Sequence, residues 1–514
     1  MEQTHTIGRL QVILYSLVCL LMLGVGSALG QAGDAPRQGG TLRVATNVPS
    51  TLDALWTTVT GPLAGHYLEG LYSMGQDYGP TPMLAAGHTV SDDGLVYTFT
   101  LRRGVLFHHG KELTAADAVA SLQRWGKLHS FGKDFFTRVA AVTPLDKYTL
   151  QIRLHAPTVL VLPALLNGAF IYPKDVLDEV GDSEVKRPIG TGPFRVAEYH
   201  PGDSLTLVRF AQYQARPEPP NGYGGGKTAW VDTLRFIFLP DAARPAAIAS
   251  GEVDVMDGPP YYYDQLTTYP DLTVHIIEAF FELVTILNKK QGVFTNVQMR
   301  QAVLAALDMD ALLSAAGRNP KLNHVDASLE PRVSPWWTDV GRERYNQPDR
   351  ARVRRLLQEA GYQGQPMRYM ATRDARLPPI VKQQLENAGF TVDLQVMEEG
   401  TMSQRIPNPD LWDAYTTIFA FRVDPILHPR LRCDSPVGGW NCDPDFAQLV
   451  HAMETERQFE KRYRLWQDIQ RLFWERVPYI HYGHASRFVA MRKHVHGRPF
   501  DMPNPYFWNV WVEK

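Results

Sequence analysis

The chain of 514 residues has a nearly balanced charge, with 52 Lys and Arg against 54 Asp and Glu and a formal net charge of −2. This balance gives no electrostatic reason to expect a nucleic acid or an anionic membrane as partner. The length exceeds what one hydrophobic core usually supports, so two or more lobes are expected. With 11 Trp, 22 Tyr and 22 Phe, the chain can fill such cores and still leave aromatic side chains for a binding cleft.

The first residues have the pattern of a secretory signal peptide. Arg9 precedes an apolar run from Leu10 to Leu23, and Ala28-Leu29-Gly30 supplies small residues two apart. We assign residues 1–32 to this leader, with cleavage near Gly30 to Ala32, and expect an exported chain. The apolar run is too short for a comfortable membrane span of about 20 residues. An uncleaved anchor is the alternative.

The stretch from residue 95 to Trp125 gives the clearest local prediction. Large apolar residues alternate with smaller polar ones over 95–101, which is the period-two pattern of a half-buried strand. Gly104 then allows a turn. Thr114 is a good N-cap residue, and Asp117 falls in the first turn of the segment that follows. The sequence therefore predicts a strand, a turn and a helix that continues through Trp125.

The same region carries a family resemblance. The segment from Arg102 to Val119 is similar to the signature of the family 5 extracellular solute-binding proteins, the dipeptide-, oligopeptide- and nickel-binding components of ABC importers. Pro188 to Val196 also resembles this family, and its two glycines around Thr191 permit a tight turn before a strand. A phosphate-cradling loop is the alternative, but no Lys-Ser/Thr pair opens a helix there.

The resemblance implies an α/β, two-lobe periplasmic-binding-protein-like fold of class II type, with an extra small subdomain in the N-terminal lobe. Strand-like runs at 274–277 and 284–288 place the first connection between the lobes near residues 272–285. Phe507 to Trp511 is expected to close the chain as a strand with its aromatic residues in the core. The implied division is signal peptide 1–32, first lobe 39–85, extra subdomain 86–188, first lobe again 189–273, second lobe 274–488 and a return to the first lobe over 489–514.

Two aromatic loops are candidates for ligand contact. Trp56 and Thr57 lie in a loop that resembles the first ligand-facing loop of the family's N-terminal lobe, where Trp56 could stack on a ligand. Tyr261 and Tyr262 follow the rigid turn Gly258-Pro259-Pro260 and are candidates for the cleft. For each pair, ordinary packing in or on a lobe is the alternative interpretation.

The segment around Asp424-Pro425 carries the most chemical candidates. Family members have an Asp-Pro pair after a strand that reaches the cleft, and several peptide-binding members place an Asp three residues earlier to hold the ligand's α-amine. That position here is Phe421, a departure that weakens a peptide assignment. Arg422 can present a planar fork to a carboxylate of the ligand. An ion pair between Arg422 and a neighbouring acid, such as Asp424, is the alternative.

Cys433 and Cys442 are the only cysteines left once the leader is removed. In an exported chain such a pair is expected to form a disulfide. Oxidation removes the thiolates that metal binding or nucleophilic chemistry would need. The bond would hold the loop that carries Trp440 at the edge of the cleft.

Histidine needs separate consideration because the family includes nickel carriers. The close histidine pairs come without the carboxylate and Cys ligands that mark a dedicated metal site. We expect solvated or hydrogen-bonded histidines, no metal and no cofactor. A carrier of nickel, metal chelate or haem with the same fold is an alternative. The pairs are His108-His109, His481 with His484, and His494 with His496.

Two classes of function compete. The first is a periplasmic binding protein that captures a small solute, a peptide or an opine-like compound, between two lobes and delivers it to permease subunits in the inner membrane. This interpretation implies a monomer that binds no nucleic acid and is not an enzyme. The second is a secreted hydrolase, but neither a Gly-x-Ser-x-Gly elbow nor a His-Glu-x-x-His motif is present.

Overall fold

The computed structural model describes residues 35–56, 61–497 and 502–513. The predicted signal peptide 1–32 and the candidate residue Thr57 lie outside the described residues. Within the described part, no helix combines the length and the apolar character that crossing a membrane would require.

The strands of the described chain form one large and several small sheets. They are β1 (Thr41–Thr46), β2 (Tyr72–Met74), β3 (Pro80–Pro82), β4 (Ala85–Val90), β5 (Val96–Leu101), β6 (Val139–Pro144), β7 (Thr149–Leu154), β8 (Phe194–His200), β9 (Ser204–Arg209), β10 (Thr233–Phe238), β11 (Val255–Gly258), β12 (Leu272–Leu287), β13 (Asn323–His324), β14 (Met367–Thr372), β15 (Val392–Met397), β16 (Ala414–Ala420), β17 (Tyr479–Arg492), β18 (Val495–His496) and β19 (Trp511–Val512).

The helices of the described chain alternate with these strands over long stretches, as expected for an α/β fold. They are α1 (Gly61–Ala64), α2 (Ala115–Leu128), α3 (Ser130–Phe136), α4 (Val161–Leu165), α5 (Lys174–Val180), α6 (Arg244–Ser250), α7 (Tyr263–Leu266), α8 (Val297–Ala306), α9 (Met309–Ala315), α10 (Arg350–Glu359), α11 (Leu377–Asn387), α12 (Glu399–Arg405), α13 (Pro444–Thr455) and α14 (Phe459–Arg476).

The large sheet has eleven strands in the order β15-β14-β16-β12-β17-β11-β1-β10-β9-β8, with β13 added to β17. The long strands β12 and β17 pair antiparallel at its centre. Residues 272–277 of β12 pair with 487–492 of β17, and 281–286 pair with 479–485, with a register irregularity between the two stretches. The two strand-like runs predicted at 274–277 and 284–288 are therefore parts of one continuous strand.

A separate sheet in the order β4-β5-β7-β6 packs against helix α2. The strand and the helix predicted between residue 95 and Trp125 are both confirmed. The alternation buries Tyr97 and Phe99, which are 8% and 0% exposed. The Asp117 carboxylate accepts hydrogen bonds from the Thr114 backbone N–H at 2.8 Å and from the Thr114 hydroxyl at 2.6 Å, so the predicted cap is formed.

Two large hydrophobic cores lie toward opposite ends of the β12–β17 pair. The first core contains residues from Leu42 to Val255 together with the late residues Phe507, Val510 and Val512. The second core contains residues from Leu283 to Ala485, and Leu160 packs in it from the loop before α4. A smaller third cluster joins residues of α6, β11 and β17.

The carboxyl-terminal segment corrects one prediction. Phe507 and Trp508 are not in a strand, and only Trp511–Val512 pair, with β18. The Phe507 N–H donates a hydrogen bond to His66 Nε2 at 2.9 Å, and the two rings stack with centroids 5.6 Å apart. Contacts with this histidine therefore fix the position of Phe507, and strand pairing does not. The expectation that its aromatic residues lie in the core is confirmed for Phe507, which is 1% exposed.

Candidate ligand-binding site

A cavity of about 590 Å³ lies between residues of the first and second cores. Its size falls in the range of small-molecule sites. Leu68 and Ala54 of the first core line one side, and Phe281 with residues 420–423 line the other. Aromatic side chains make up much of the wall: Tyr72, Phe131, Phe170, Tyr223, Phe281, Phe421, Tyr506 and Trp508.

Phe421 and Arg422 reach this cavity because they directly follow the carboxyl end of β16. β16 pairs with β12, and Ala420 lies opposite Phe281 in that register. The end of this interior strand of the sheet thus places two adjacent side chains in the cavity wall. The family resemblance predicts a strand that reaches the cleft just before Asp424-Pro425, and both residues lie at the end of that strand.

The Arg422 guanidinium makes few contacts in the described part of the chain. Its carbon lies 4.4 Å from the centroid of the Phe131 ring. Nη1 donates one hydrogen bond, to the Phe421 carbonyl at 3.2 Å, while the buried Nε has no partner among the described residues. Burial and the charge of Arg430 lower the pKa of Arg422 to about 10, so the side chain remains protonated at neutral pH.

The structure excludes the predicted alternative of an ion pair between Arg422 and Asp424. Asp424 pairs instead with Arg462, whose Nη2 lies 2.8 Å from its carboxylate. The same carboxylate accepts a hydrogen bond from the Ile426 N–H at 3.3 Å. Asp424 is 2% exposed and does not line the cavity. Burial raises the pKa of its carboxyl group.

Glu69 and Lys227 form a charged pair in the wall on the side of the first core. Their side chains are almost fully buried, and Lys227 Nζ lies 3.0 Å from Glu69 Oε1. The Thr191 and Tyr213 hydroxyls donate further hydrogen bonds to the Glu69 carboxylate, at 3.0 and 2.9 Å. Lys227 Nζ also lies 4.4 Å from the ring centroid of Trp508. Both charges are therefore well compensated within the wall.

His129 completes the polar part of the wall next to Arg422. It is the N-cap of α3, where its Nδ1 accepts a hydrogen bond from the Phe131 N–H at 3.3 Å. Burial and the nearby charge of Arg422 lower the pKa of His129 to about 4. The imidazole is therefore neutral at physiological pH, and Nδ1 remains free of a proton, as the cap requires.

Of the predicted site residues that the structure describes, Phe421 and Arg422 line the cavity. Trp56 is 46% exposed, and Tyr261 is 55% exposed beside Tyr262, with the two tyrosine rings 4.5 Å apart. None of these three lines the cavity. The Trp440 indole stacks on Trp412 with centroids 5.7 Å apart, inside the second core, and does not line the cavity.

The predicted disulfide between Cys433 and Cys442 is formed, with Cα atoms 4.2 Å apart. It closes the loop in which Trp440 packs against the second core. The described residues contain no cluster of three or more His, Cys, Asp or Glu side chains that could hold a metal ion.

A buried network of charged side chains lies in the second core, next to the cavity wall. Glu282 follows Phe281 in β12 and pairs with Arg430, which also contacts Glu330 at 2.6 Å. His481 Nδ1 lies 2.8 Å from Glu282. Burial and the charge of Glu282 raise the pKa of Glu330 to about 8, although the Arg430 guanidinium opposes the shift. This network was not predictable from local sequence, because Arg430 lies 148 and 100 residues from its two acids.

Charged contacts also join the α3 region to the second half of the chain. Arg138 Nε lies 2.6 Å from the Glu454 carboxylate at the end of α13. Arg432 pairs with Asp134 of α3. The Val159 N–H donates a hydrogen bond to the Glu454 carbonyl at 2.9 Å. We call these two ion pairs, Arg138–Glu454 and Arg432–Asp134, the bridging pairs. They connect the segments beside the cavity without involving strands β12 and β17.

Comparison with known proteins gives a consistent result. A protein of Sinorhizobium fredii named "Probable peptide ABC transporter periplasmic-binding protein" is 28% identical over 98% of this chain and 99% of its own length. The oligopeptide-binding protein AppA from Bacillus subtilis, solved with a nonapeptide, has a TM-score of 0.76 at 20% identity and covers 93% of this chain and 100% of its own. The binding protein AgaA of A. tumefaciens R10, solved with agropinic acid, has a TM-score of 0.78 at 21% identity and covers 92% and 99%.

These likenesses confirm the predicted α/β, two-lobe periplasmic-binding-protein fold. The family described as "Bacterial extracellular solute-binding proteins, family 5 Middle" matches residues 79–434, which is more than half of the chain. The chain belongs to the family 5 bacterial extracellular solute-binding proteins.

Proposed function

We propose that this protein captures a peptide or an opine-like solute between its two lobes and delivers it to the permease of an ABC importer. The observation that carries the proposal is the cavity of about 590 Å³ with walls from both cores. A solute held there contacts both lobes at once. The relative from Sinorhizobium fredii, whose name assigns it to peptide transport, supports a peptide or peptide-like ligand.

The proposed mechanism is closure about the β12–β17 crossing. Both strands continue from one half of the sheet to the other, and the register irregularity after Ile277 falls between the two paired stretches. A solute that binds the closed form more tightly than the open form shifts the population toward closure. The closed form then presents both lobes to the permease subunits of the inner membrane.

The remaining parts of the proposal concern location and assembly. An exported periplasmic protein, cleaved near Gly30 to Ala32, fits the sequence of the first 32 residues. The name of the Sinorhizobium fredii relative also supports the periplasm. We propose a monomer that acts as a carrier and not as an enzyme.

A screen of the purified mature protein tests this function. Pooled peptides, opines, sugars, nickel chelates and haem are added separately, and the melting temperature and the fate of each compound are measured. A carrier is stabilised by one class at a stoichiometry of one, and the compound is recovered unchanged. Stabilisation only by metal chelate or haem, turnover of any compound, or the lack of any stabilisation contradicts the proposal.

A matched pair of variants tests whether the solute binds in the cavity. Phe421→Ala removes an aromatic side chain from the wall, whereas Tyr261→Ala removes one that is 55% exposed and does not line the cavity. The first variant is expected to weaken the stabilisation by the solute, and the second to leave it unchanged. Equal effects of the two substitutions would place binding elsewhere.

A further inference from the structure

We infer that Arg422 receives a carboxylate of the solute, and that the site selects acidic solutes whose amine is absent or acylated over solutes with a free ammonium group. This inference rests on the proposed function and defines the chemical class of the ligand. It is carried by the contacts of the charged side chains in the cavity wall.

The cavity wall contains three strong cations but only one acid among the described residues. Lys227 is paired with Glu69, and Arg487 is paired with Asp257, which lies outside the wall. Arg422 forms no ion pair with any described residue, and its Nε is buried without a hydrogen-bond partner. His129 beside it is neutral, so within the described part of the wall the positive charge of Arg422 is not compensated.

A carboxylate is the ligand group that fits this charge best. A guanidinium binds a carboxylate through two parallel N–H···O bonds, which satisfies several donors at once. Arg422 uses one hydrogen bond to the Phe421 carbonyl and lies over the Phe131 ring, so most of its donors are not used by described residues. Leaving a buried charge unpaired is unfavourable, and an anionic group in the cavity would relieve that cost.

A free ammonium group, in contrast, meets no available carboxylate among the described residues of the wall. The Glu69 carboxylate is the acid of the wall, and it already accepts bonds from Lys227, Thr191 and Tyr213. The position directly before Arg422 is the apolar Phe421. An ammonium placed near this end of the cavity would face the Arg422 charge. Solutes with an acylated or missing amine avoid this repulsion, because neither carries an ammonium charge.

The test uses the compound that gives the largest stabilisation in the screen, prepared in two forms that differ at one group. Its carboxylate form and the matching carboxamide are titrated against the wild type, Arg422→Gln and Arg373→Gln by calorimetry. Arg373 is an exposed arginine that pairs with Glu398 and does not line the cavity, so it controls for loss of an arginine. Where the compound has an amine, the free and N-acetyl forms are compared as well.

We expect the carboxamide to bind the wild type and Arg373→Gln at least about tenfold more weakly than the carboxylate. In Arg422→Gln the two forms should differ by less than about threefold, since the group that distinguishes them is gone. If Arg422→Gln does not fold, Arg422→Lys replaces it, and the expected result is weaker carboxylate binding with part of the preference retained.

Two results would overturn the inference while leaving the proposed function intact. One is a strongly bound solute without any carboxylate. The other is a carboxylate preference that is the same in Arg422→Gln as in the wild type. A clear preference for the free amine over its N-acetyl form would overturn the second half of the inference. A screen in which no compound stabilises the protein contradicts the proposed function itself and this inference with it.

Discussion

Arg430 contacts two buried acidic side chains in the second core. Glu282 and Glu330 both contact its guanidinium, and all three side chains are at most 3% exposed. The charge of Glu282 raises the pKa of Glu330, while Arg430 lowers it. Such a network is stable only when complete, because removing the shared partner leaves buried charge uncompensated.

We therefore expect Arg430→Met to lower the free energy of unfolding by about 3 to 5 kcal/mol. Urea unfolding at pH 7.5, followed by circular dichroism, measures the change. Arg373→Met is the control, because this exposed arginine pairs with an equally exposed Glu398 and should change stability by less than about 1 kcal/mol. Equal stability of the Arg430 variant and the wild type would contradict the expected role of the network.

Buried histidines predict a loss of stability in acid. Burial lowers the pKa of His129 to about 4 and that of His484 to about 3, from an ordinary value of 6.5. Their contribution to stability is complete above pH 6.5 and is lost as the pH falls toward the folded-state values. At pH 5, protonation in the unfolded state alone favours unfolding by about 2 kcal/mol for each histidine.

The measurement is the difference in unfolding free energy between pH 7.5 and pH 5 for the wild type and His484→Gln. The variant should lose about 2 kcal/mol less than the wild type over this interval. Glu330 acts in the opposite direction, because its pKa is raised to about 8 and its protonation favours the fold as the pH falls. The comparison with the variant therefore isolates the histidine. Identical pH dependence in both proteins would show that His484 titrates normally.

Local sequence identified only part of the site. Phe421 and Arg422 were predictable because they directly follow a strand that leads to the cavity. Glu69 and Lys227 were not, since they lie 158 residues apart and meet only through the fold. Trp440 packs in the second core, and an aromatic residue in a loop gives no local signal of whether it faces a cavity or a core.

At the level of elements, the strongest patterns predicted the structure well. The helix after Thr114 and the strand before it were both predicted from capping and alternation. β12 was predicted as two runs because the acidic residues 278 and 282 interrupt its apolar pattern, and pairing with β17 carries the strand across the interruption. The closing strand is shorter than predicted, because the Phe507 N–H bonds to His66 and not to a neighbouring strand.

The Cys433–Cys442 disulfide closes a loop of the second core, and we expect this bond to stabilise the folded protein. Loop-closure entropy for about ten residues corresponds to roughly 2.5 to 3 kcal/mol. Cys433→Ser/Cys442→Ser should lower the free energy of unfolding by about this amount in urea, and a reducing agent should have the same effect on the wild type. The double variant itself should not respond to the reducing agent. A change below about 0.5 kcal/mol would mean that the loop is held by packing around Trp440.

Across the whole molecule, the bridging pairs connect the segments beside the cavity independently of the β12–β17 crossing. Arg138 and Glu454 are 25% and 20% exposed, so their interaction is partly screened and of modest strength. In the proposed mechanism, these contacts favour the form in which the lobes enclose the solute. Their effect should therefore appear in ligand affinity and depend on salt.

We expect Arg138→Ala to weaken binding of the solute identified in the screen by about two- to fivefold in 50 mM salt. In 0.5 M salt the difference from the wild type should shrink, because the screening length falls to about 4 Å. Lys174→Ala is the control, since Lys174 pairs with Asp178 within helix α5. An equal loss of affinity in both variants, or a loss that does not depend on salt, would contradict a role in closure.

The overall two-lobe fold was predictable from family resemblance more than from local pattern. Short motifs identified the family, but the bounds predicted for the lobes and for the subdomain at 86–188 stay predictions. Leu160 illustrates why such bounds are hard to derive. It lies within the predicted subdomain of the first lobe, yet its side chain packs in the second core. Sequence position alone does not determine which core a residue joins.

The first core contains both the earliest and the latest parts of the described chain. Phe507, Val510 and Val512 pack in the same core as Leu42 and Val44, although the whole second core lies between them in sequence. A ribosome-bound chain that ends before residue 507 lacks these side chains, so its amino-terminal half cannot complete its interior during synthesis. That half can therefore complete its interior only after residues 507–512 have been synthesised, and removing these residues is expected to destabilise the half of the protein that is translated first.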